Sequence, residues 1–465
     1  MITTYSGDRS VHRIFRFIKE ALSTKEQDFT TGNIRRAIFL LAIPMILEMC
    51  MESVFAVVDI FFVGKLGAVA TATVGLTESV LAIVYSLAFG LSMAATALVA
   101  RRVGEKNHEG AARSGAQAIL LVIILAAIIS IGGIFFPKDI LALMGATSEI
   151  VEHGYTFTRI MLSGNIVILL LFLLNGIFRG AGNAAIAMRS LWIANICNII
   201  LCPTLIHIYG LPGAAMATTT GRGIGVCYQL WHLLKGKGII KIHLHHFIPD
   251  KEVMKSLLKV ASTATLQFLI GSASWIAMAR IITDFGSDAV AGYTIALRWI
   301  VFFILPAFGL SNVAATLVGQ NLGAKQPARA EESVWKTAKY NAIFMAFVSF
   351  LFLVGARFFV GIITTEDSVS QFAIVGLRIM SVGFVFYGMG MVMMNAFNGA
   401  GDSTTPTWVN LFWFWIFQIP VAYLVSIVWQ WGPKGVFICI VVTETCITIT
   451  SMLLFRRGKW KVIKV

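Results

Sequence analysis

The chain has 465 residues, of which 57% are hydrophobic and only 13% charged, and its mean hydropathy is +0.81. Soluble domains contain roughly 45–50% apolar and about 25% charged residues, so this composition excludes a soluble globular protein and indicates an integral membrane protein. The formal net charge of +14 is compatible with nucleic-acid binding, but the distribution of the positive residues along the chain indicates membrane orientation instead.

Long apolar runs predict membrane-spanning α-helices. Each run is continuous rather than alternating, and about 20 apolar residues are needed for a helix to cross a bilayer. We therefore predict an all-α integral membrane protein with twelve transmembrane helices in two six-helix lobes. The predicted spans are approximately 38–63, 70–100, 116–136, 156–178, 187–209, 212–234, 257–283, 290–318, 341–363, 371–397, 406–430 and 435–455.

The segment before the first span is basic and amphipathic. Residues 9–22 place apolar side chains at helical spacing, with arginine and lysine mostly elsewhere around the helix. Such a helix lies in the membrane interface. We predict an N-terminal interfacial segment over residues 1–30, followed by an N-lobe over residues 31–235.

The first span carries three carboxylates, Glu48, Glu52 and Asp59. Because a helix turns about 100° per residue, all three project from one face. A carboxylate at the bilayer centre costs roughly 2.5–3.5 kcal/mol, so this face must look into the protein, where intramembrane acids commonly carry protons or cations. We expect Asp59 to be the deepest of the three and to be the coupling carboxylate, with Glu52 and Glu48 assisting.

The fifth span adds polar groups on one face, namely Asn195, Asn198 and Cys202. Pro203 lacks a backbone N–H and so frees a carbonyl oxygen in the same span. These groups are suited to assist a nearby carboxylate in holding a cation. Hydrogen bonding between helices is an equally good explanation for the two asparagines.

A polar, basic linker over residues 236–256 separates the N-lobe from a C-lobe over residues 257–465. The linker contains His243, His245 and His246. Without a nearby cysteine or pair of acids, these histidines do not predict a metal site. We expect a solvated linker at the headgroup surface.

The second half of the chain is rich in aromatic residues and methionine. Gln267, Trp275, Tyr387 and Met391 are candidate substrate-binding residues, because soft, polarizable side chains make an adaptable apolar wall. Ordinary packing and lipid contact are the alternative for such residues.

An internal repeat relates the two halves. Residues 90–114 align with residues 309–333 with ten identities in 25 positions, and FRGAGN (178–183) aligns with FNGAGD (397–402) at the same offset of 219 residues. Each half holds six predicted helices, so the repeat is parallel and its pseudo-twofold axis runs along the membrane normal. Rocking of two such lobes around a cleft gives alternating access. The helix 1 acids have no counterparts in the second half, which suggests that one lobe holds the coupling cation and the other the substrate.

The positive residues follow the positive-inside rule. Only Lys65, Lys138, Arg357 and Lys434 fall in loops assigned to the outside. This asymmetry predicts that both termini are cytoplasmic, and it removes the reason to expect a nucleic-acid partner. The six cysteines lie in or beside spans without a CxxC pattern, so neither a disulfide framework nor a zinc site is predicted.

Three stretches of the chain, residues 28–67, 315–333 and 398–424, resemble the multidrug and toxic compound extrusion (MATE) family, and most closely its DinF-like branch. The resemblance implies export of organic cations or other amphipathic compounds in exchange for protons or sodium. It also implies that the helix 1 acid, here Asp59, is a cation site. The NxxxDP pattern usual on helix 5 of that branch has Asn198 and Pro203 here, with Cys202 in place of the acid.

Two further departures make the coupling site atypical. The RGxGDTxTP motif usual in the first lobe is RGAGNAAIA here, and the acids that the NorM-like branch has on helices 7 and 10 are missing from both spans. Glu48 or Glu52 could supply the missing carboxylate. We expect a monomer in a bacterial-type inner membrane, in contact with lipids, without a cofactor other than the coupling H⁺ or Na⁺.

Two alternatives belong to other functional classes. A lipid-linked saccharide or lipid flippase of related architecture would need a large basic cavity, and few lysines or arginines lie within the spans. A membrane-embedded enzyme is disfavoured, because the chain has no GxSxG, P-loop or HExxH motif. A non-transporting sensor would show neither transport nor a cation-linked change.

Overall fold

Twelve helices make up most of the part of the chain that the structure describes. The computed structural model describes residues 15–23, 28–235 and 238–463, so most of the predicted N-terminal amphipathic helix lies outside the described residues. The helices are α1 Ile34–Gly64, α2 Ala68–Gly104, α3 His108–Phe135, α4 Ser148–Gly180, α5 Ala184–Tyr209, α6 Leu211–Lys235, α7 Lys251–Phe285, α8 Ser287–Gly323, α9 Pro327–Gly361, α10 Asp367–Val382 with Phe384–Gly399, α11 Thr404–Val428 and α12 Pro433–Arg456.

Ten helices of the described residues are each long and apolar enough to cross a membrane, and the two halves of α10, bent by 56°, count as an eleventh span. The remaining helix, α6, is less apolar because it contains glycines, threonines and Arg222. Its arginine is buried against other helices rather than exposed to lipid. The predicted all-α fold of twelve helices in two lobes is confirmed, with eleven of the twelve apolar enough to count as spans.

Several helices begin before the apolar runs do, because polar residues cap them. Asn33 accepts a hydrogen bond from the backbone N–H of Arg35 at 2.8 Å, and Asn107 accepts one from Gly110 at 2.8 Å. Such caps satisfy backbone donors that the first turn of a helix leaves free. Hydropathy alone therefore places the start of these helices several residues too late.

The internal repeat is visible in the backbone. Positions 219 residues apart adopt the same left-handed conformation with nearly equal φ angles: Gly67 (98°) and Gly286 (94°), Lys106 (58°) and Lys325 (59°), Gly182 (84°) and Gly401 (85°). The two halves thus turn at equivalent places. This agreement supports the ungapped alignment of the repeat.

The two halves touch most closely where α2 crosses α8. A Cβ atom at Gly104 would overlap the backbone carbonyl of Gln320, and one at Gly323 would overlap the carbonyl of Arg101. Gly104 and Gly323 are repeat equivalents, and so are Arg101 and Gln320, so the contact is exchanged by the pseudo-twofold. Gln320 also donates a hydrogen bond across the interface to the carbonyl of Gly180 at 3.0 Å.

The linker before α7 is only partly solvated, because one side of it packs against α3. Ile240 and Ile242 are buried in the apolar core of the first half. The amide of Gln117 donates to the carbonyls of His246 at 2.7 Å and Ile248 at 2.8 Å. Apolar burial and backbone hydrogen bonds together hold the linker in place.

A hydrogen-bonded cluster completes the linker contact, and it contains the acid that the sequence did not place there. Glu109 Oε1 lies 3.0 Å from His245 Nε2 and 2.7 Å from His246 Nε2. The backbone N–H of His243 donates to His246 Nδ1 at 2.9 Å, so Nε2 must carry the proton that His246 gives to Glu109. Both ring nitrogens of His246 are thereby used in hydrogen bonds.

Replacing Glu109 with glutamine is expected to loosen the linker. Hydrogen bonds from His245, and then from His246, hold the pKa of Glu109 below its usual value of 4.5. A lowered pKa stabilises the docked linker above pH 4.5, and this stabilisation is lost as the pH falls through the lowered value. In E109Q, amide hydrogen exchange over residues 243–248 should be several-fold faster at pH 7 than in the unmodified protein. E149Q, at an exposed site away from the linker, should exchange normally; equal exchange in E109Q and E149Q would contradict the assignment.

Candidate functional site

The three acids of α1 face the interior of the first half, on the common face that the helical spacing predicts. The expected order of depth is wrong. Glu48 lies near the middle of α1 and is fully buried, whereas Asp59 lies five residues before the end of the helix and is half-buried. The acid nearest the middle of α1 is the most deeply buried, and the acid nearest its end is only partly buried.

Glu48 belongs to a buried network between α1, α2, α4 and α6. Its Oε1 accepts a hydrogen bond from Asn175 at 2.9 Å and lies 3.5 Å from an Nη atom of Arg179. Arg179 also donates to the hydroxyl of Ser92 at 2.9 Å, and Gln229 donates to the carbonyl oxygen of Asn175. The charge of Glu48 is therefore matched within the protein, as a buried charge requires.

Glu52 is also paired. Its Oε1 lies 3.1 Å from an Nη atom of Arg222, whose side chain is only 2% exposed. The guanidinium lies 5.3 Å from the ring centre of Phe55, 5.6 Å from that of Tyr85 and 5.8 Å from that of Phe172, in range for cation–π attraction. Arg222 was not predicted as a site residue. Its position within the predicted span 212–234 is the signal that could have identified it, because an arginine in a membrane span usually has a partner inside the protein.

Asp59 differs from both glutamates. Its Oδ1 is buried and has no hydrogen-bond partner. Asp59 forms no ion pair with the described residues, although the charge of Arg222, which is paired with Glu52, also acts on it. It lies in the wall of a cavity of about 350 Å³ that also has Glu78, Tyr85 and Thr218 in its lining. We refer to this space as the N-lobe cavity. Asp59 is thus the helix 1 carboxylate that is left available for a proton or a metal cation.

The α5 residues lie beside this site with different contacts. Asn198 donates at 3.0 Å to the hydroxyl of Thr218, which lines the N-lobe cavity, and Asn195 donates at 3.3 Å to the carbonyl of Met51. Both asparagines therefore form the hydrogen bonds between helices that the sequence left as an alternative. Cys202 is fully buried in the apolar core of the first half.

The four candidate substrate residues of the second half come together around one space. Gln267, Trp275, Tyr387 and Met391 all line a cavity of about 290 Å³, which we call the C-lobe cavity. They come from α7 and α10, more than a hundred residues apart in sequence. The lining also includes an acid, Glu444 on α12.

An aromatic cluster stands between the two cavities. Phe89 and Phe268 line both of them, and their rings stack with centres 5.0 Å apart. Phe308, the repeat equivalent of Phe89, packs edge-on against it at 5.9 Å. The two halves of the protein therefore present separate chambers, one with Asp59 and one with Glu444, on either side of a shared aromatic wall.

Comparison with known proteins agrees with this architecture. The chain is 23% identical over 444 residues to the probable multidrug resistance protein YpnP of Bacillus subtilis. The alignment covers 95% of this chain and 99% of that protein. It is 21% identical over 429 residues to the multidrug export protein MepA of Staphylococcus aureus, covering 92% and 94%. These names do not favour a flippase.

A solved structure described as the outward-facing conformation of a multidrug resistance MATE family transporter superposes with a TM-score of 0.89 at 26% identity, covering 94% of this chain and 98% of that one. The MatE family model matches the chain twice, over residues 44–204 and residues 264–424, one match in each half of the repeat. Together the two matches span more than half of the sequence. The chain therefore belongs to the MATE family of multidrug and toxic compound extrusion transporters.

Proposed function

We propose that this protein exports amphipathic organic cations across the membrane in exchange for protons or sodium ions, with Asp59 as the coupling carboxylate. The observation that carries the proposal is the difference between the three acids of α1. Glu48 and Glu52 each form an ion pair with a buried arginine, whereas Asp59 faces a cavity and forms no ion pair with the described residues. A carboxylate can exchange a coupling ion only if no fixed positive charge already occupies it.

The proposed cycle is alternating access, with the two halves rocking about the aromatic wall. The tight glycine contact of α2 with α8 lies beside the basic loop that follows α2. The positive-inside rule assigns that loop to the cytoplasm, so the described state is closed on the cytoplasmic side. The similarity to an outward-facing transporter supports this assignment. An ion that binds Asp59 can shift the equilibrium between states only by its difference in affinity for them.

Replacing Asp59 with asparagine tests the coupling role. The amide keeps the size of the carboxyl group but cannot exchange a proton or supply a negative charge to sodium. In proteoliposomes with an imposed proton or sodium gradient, efflux of ethidium by D59N should fall to the level of protein-free vesicles. Whichever gradient drives efflux in the unmodified protein identifies the coupling ion.

The matched control is Asp139→Asn, which removes an exposed carboxylate from the short helix Pro137–Leu143. D139N should retain the efflux rate of the unmodified protein within about twofold. Gradient-driven efflux that persists in D59N would contradict the assignment of Asp59. Glu78, the other acid in the lining of the N-lobe cavity, would then be the next carboxylate to replace.

A further inference from the structure

Glu444 is a buried acid whose carboxylate has no partner among the described residues. It is 8% exposed, and no described side chain forms an ion pair or a hydrogen bond with its carboxylate. Leaving a charge or a polar group buried without a partner is costly. The carboxylate nevertheless faces the C-lobe cavity, so the partner has room to enter from outside the fold.

The rest of the lining includes buried hydrogen-bond acceptors that have no donor. The side-chain carbonyl oxygens of Gln267, Asn398 and Asn410 are buried and receive no hydrogen bond. The residues that line this cavity include no lysine, arginine or histidine. A cavity with a carboxylate, unpaired carbonyl oxygens and no fixed positive charge is complementary to a cation, and it would repel a phosphate or other anion.

Aromatic and apolar side chains indicate what kind of cation fits. Trp275 and Tyr387 lie with Glu444 around both the C-lobe cavity and a narrower extension of it. Aromatic ring faces attract alkylated ammonium groups, and the energy rises when the site is dry. Phe414, on a π-helical stretch of α11 over Leu411–Gln418, contributes to the same lining. π-Helical stretches are frequently found at functional sites.

We propose that the C-lobe cavity is the binding site of the exported organic cation, with Glu444 as its charge partner and Trp275 and Tyr387 as aromatic walls. This inference rests on the proposed export function, but it assigns a second carboxylate in the other half of the protein. The coupling ion at Asp59 and the substrate at Glu444 then occupy separate chambers divided by Phe89 and Phe268. The coupling ion and the substrate do not compete for one carboxylate. Each influences the binding of the other by changing the relative arrangement of the two lobes.

The test is equilibrium binding of ethidium to the purified full-length protein in detergent, with no ion gradient. Glu444→Gln keeps the shape of the side chain and removes its charge. A hydrogen bond or ion pair to a charged group contributes roughly 1.5–3 kcal/mol, which corresponds to an approximately 10- to 100-fold loss of affinity. E444D should recover part of the loss, and Trp275→Leu should weaken binding several-fold through loss of the ring.

The matched control is Glu366→Gln, which removes an exposed acid at the start of α10. E366Q should bind ethidium as the unmodified protein does. Size-exclusion profiles establish that each variant is folded, and the tryptophan variant supplies a second measurement if E444Q does not fold. An ethidium affinity within twofold of the unmodified value in both E444Q and W275L would overturn the inference.

The outcomes separate this inference from the coupling role of Asp59. D59N that binds ethidium normally but loses gradient-driven efflux supports both assignments. Coupled efflux that survives in D59N, together with weakened binding in E444Q, overturns the coupling assignment alone. Loss of ethidium binding in D59N with normal binding in E444Q would place substrate in the N-lobe cavity and overturn the assignment of Glu444.

Discussion

Replacing Arg222 with leucine is expected to destabilise the protein by roughly 3–5 kcal/mol, the cost of breaking a buried ion pair by removing one partner. Leucine fills part of the same volume among Phe55, Tyr85 and Phe172. It leaves Glu52 without a positive charge nearby. The cost therefore comes from the stranded carboxylate more than from lost packing.

The double replacement R222L/E52L isolates this electrostatic term. Replacing both members of a buried pair with apolar residues is often neutral or stabilising, because neither charge has to be removed from water. The double variant should therefore recover most of the stability that R222L loses. Such recovery would show that R222L is destabilised because Glu52 is left buried without a positive charge. The stability then depends on the pair and cannot be assigned to either residue separately.

Thermal unfolding of the detergent-solubilised protein measures the effect. Arg35→Leu is the matched control, because this arginine in the first turn of α1 is exposed and forms no ion pair with the described residues. R35L should unfold at nearly the same temperature as the unmodified protein. A double variant no more stable than R222L would show that the loss comes from packing of the guanidinium against the rings, and the ion-pair explanation would fail.

Replacing Gly104 with leucine is expected to push the cytoplasmic ends of the two halves apart and to reduce coupled efflux at least tenfold. A side chain at this position meets the backbone of α8, which cannot swing aside as a flexible side chain can. Overpacking of this kind typically costs 1–3 kcal/mol or more. Since about 1.4 kcal/mol changes a population ratio tenfold, the ratio of closed to open protein should fall by roughly tenfold.

Spin labels at His108 and Ala328 report the change directly. Both positions are exposed at the starts of α3 and α9, next to the crossing of α2 and α8. In a background without the six native cysteines, the distance distribution should shift to longer values in G104L. Gly75→Leu is the control on the same helix, because a Cβ there meets no atom within 4 Å. An unchanged distribution in G104L would show that the glycine contact does not hold the lobes closed.

The two halves share one helix arrangement but differ in their buried polar side chains. In the first half, buried arginines on α4 and α6 hold two of the acids of α1. In the second half, Glu444 has no such arginine, and amide and aromatic groups surround it. The repeat therefore preserves the turns and the glycine contacts, while the polar side chains differ. This division is consistent with one half binding the ion and the other the substrate.

The sequence by itself determined the twelve spans, their division into two related halves and the common face of Glu48, Glu52 and Asp59. Each of these follows from a local or periodic property: run length, a constant offset of 219 residues, or the 100° turn of a helix. Composition suggested Gln267, Trp275, Tyr387 and Met391 as substrate-binding residues, but only the structure shows that they line one cavity.

Only the tertiary structure decided which carboxylates are free. Arg179 and Arg222 reach Glu48 and Glu52 from helices more than a hundred residues away, and no spacing in the sequence predicts such a meeting. The linker was likewise placed by Glu109 and Gln117 on a distant helix. The physical reason is that helix periodicity fixes the direction of a side chain on its own helix, whereas the neighbour it meets depends on how the helices pack.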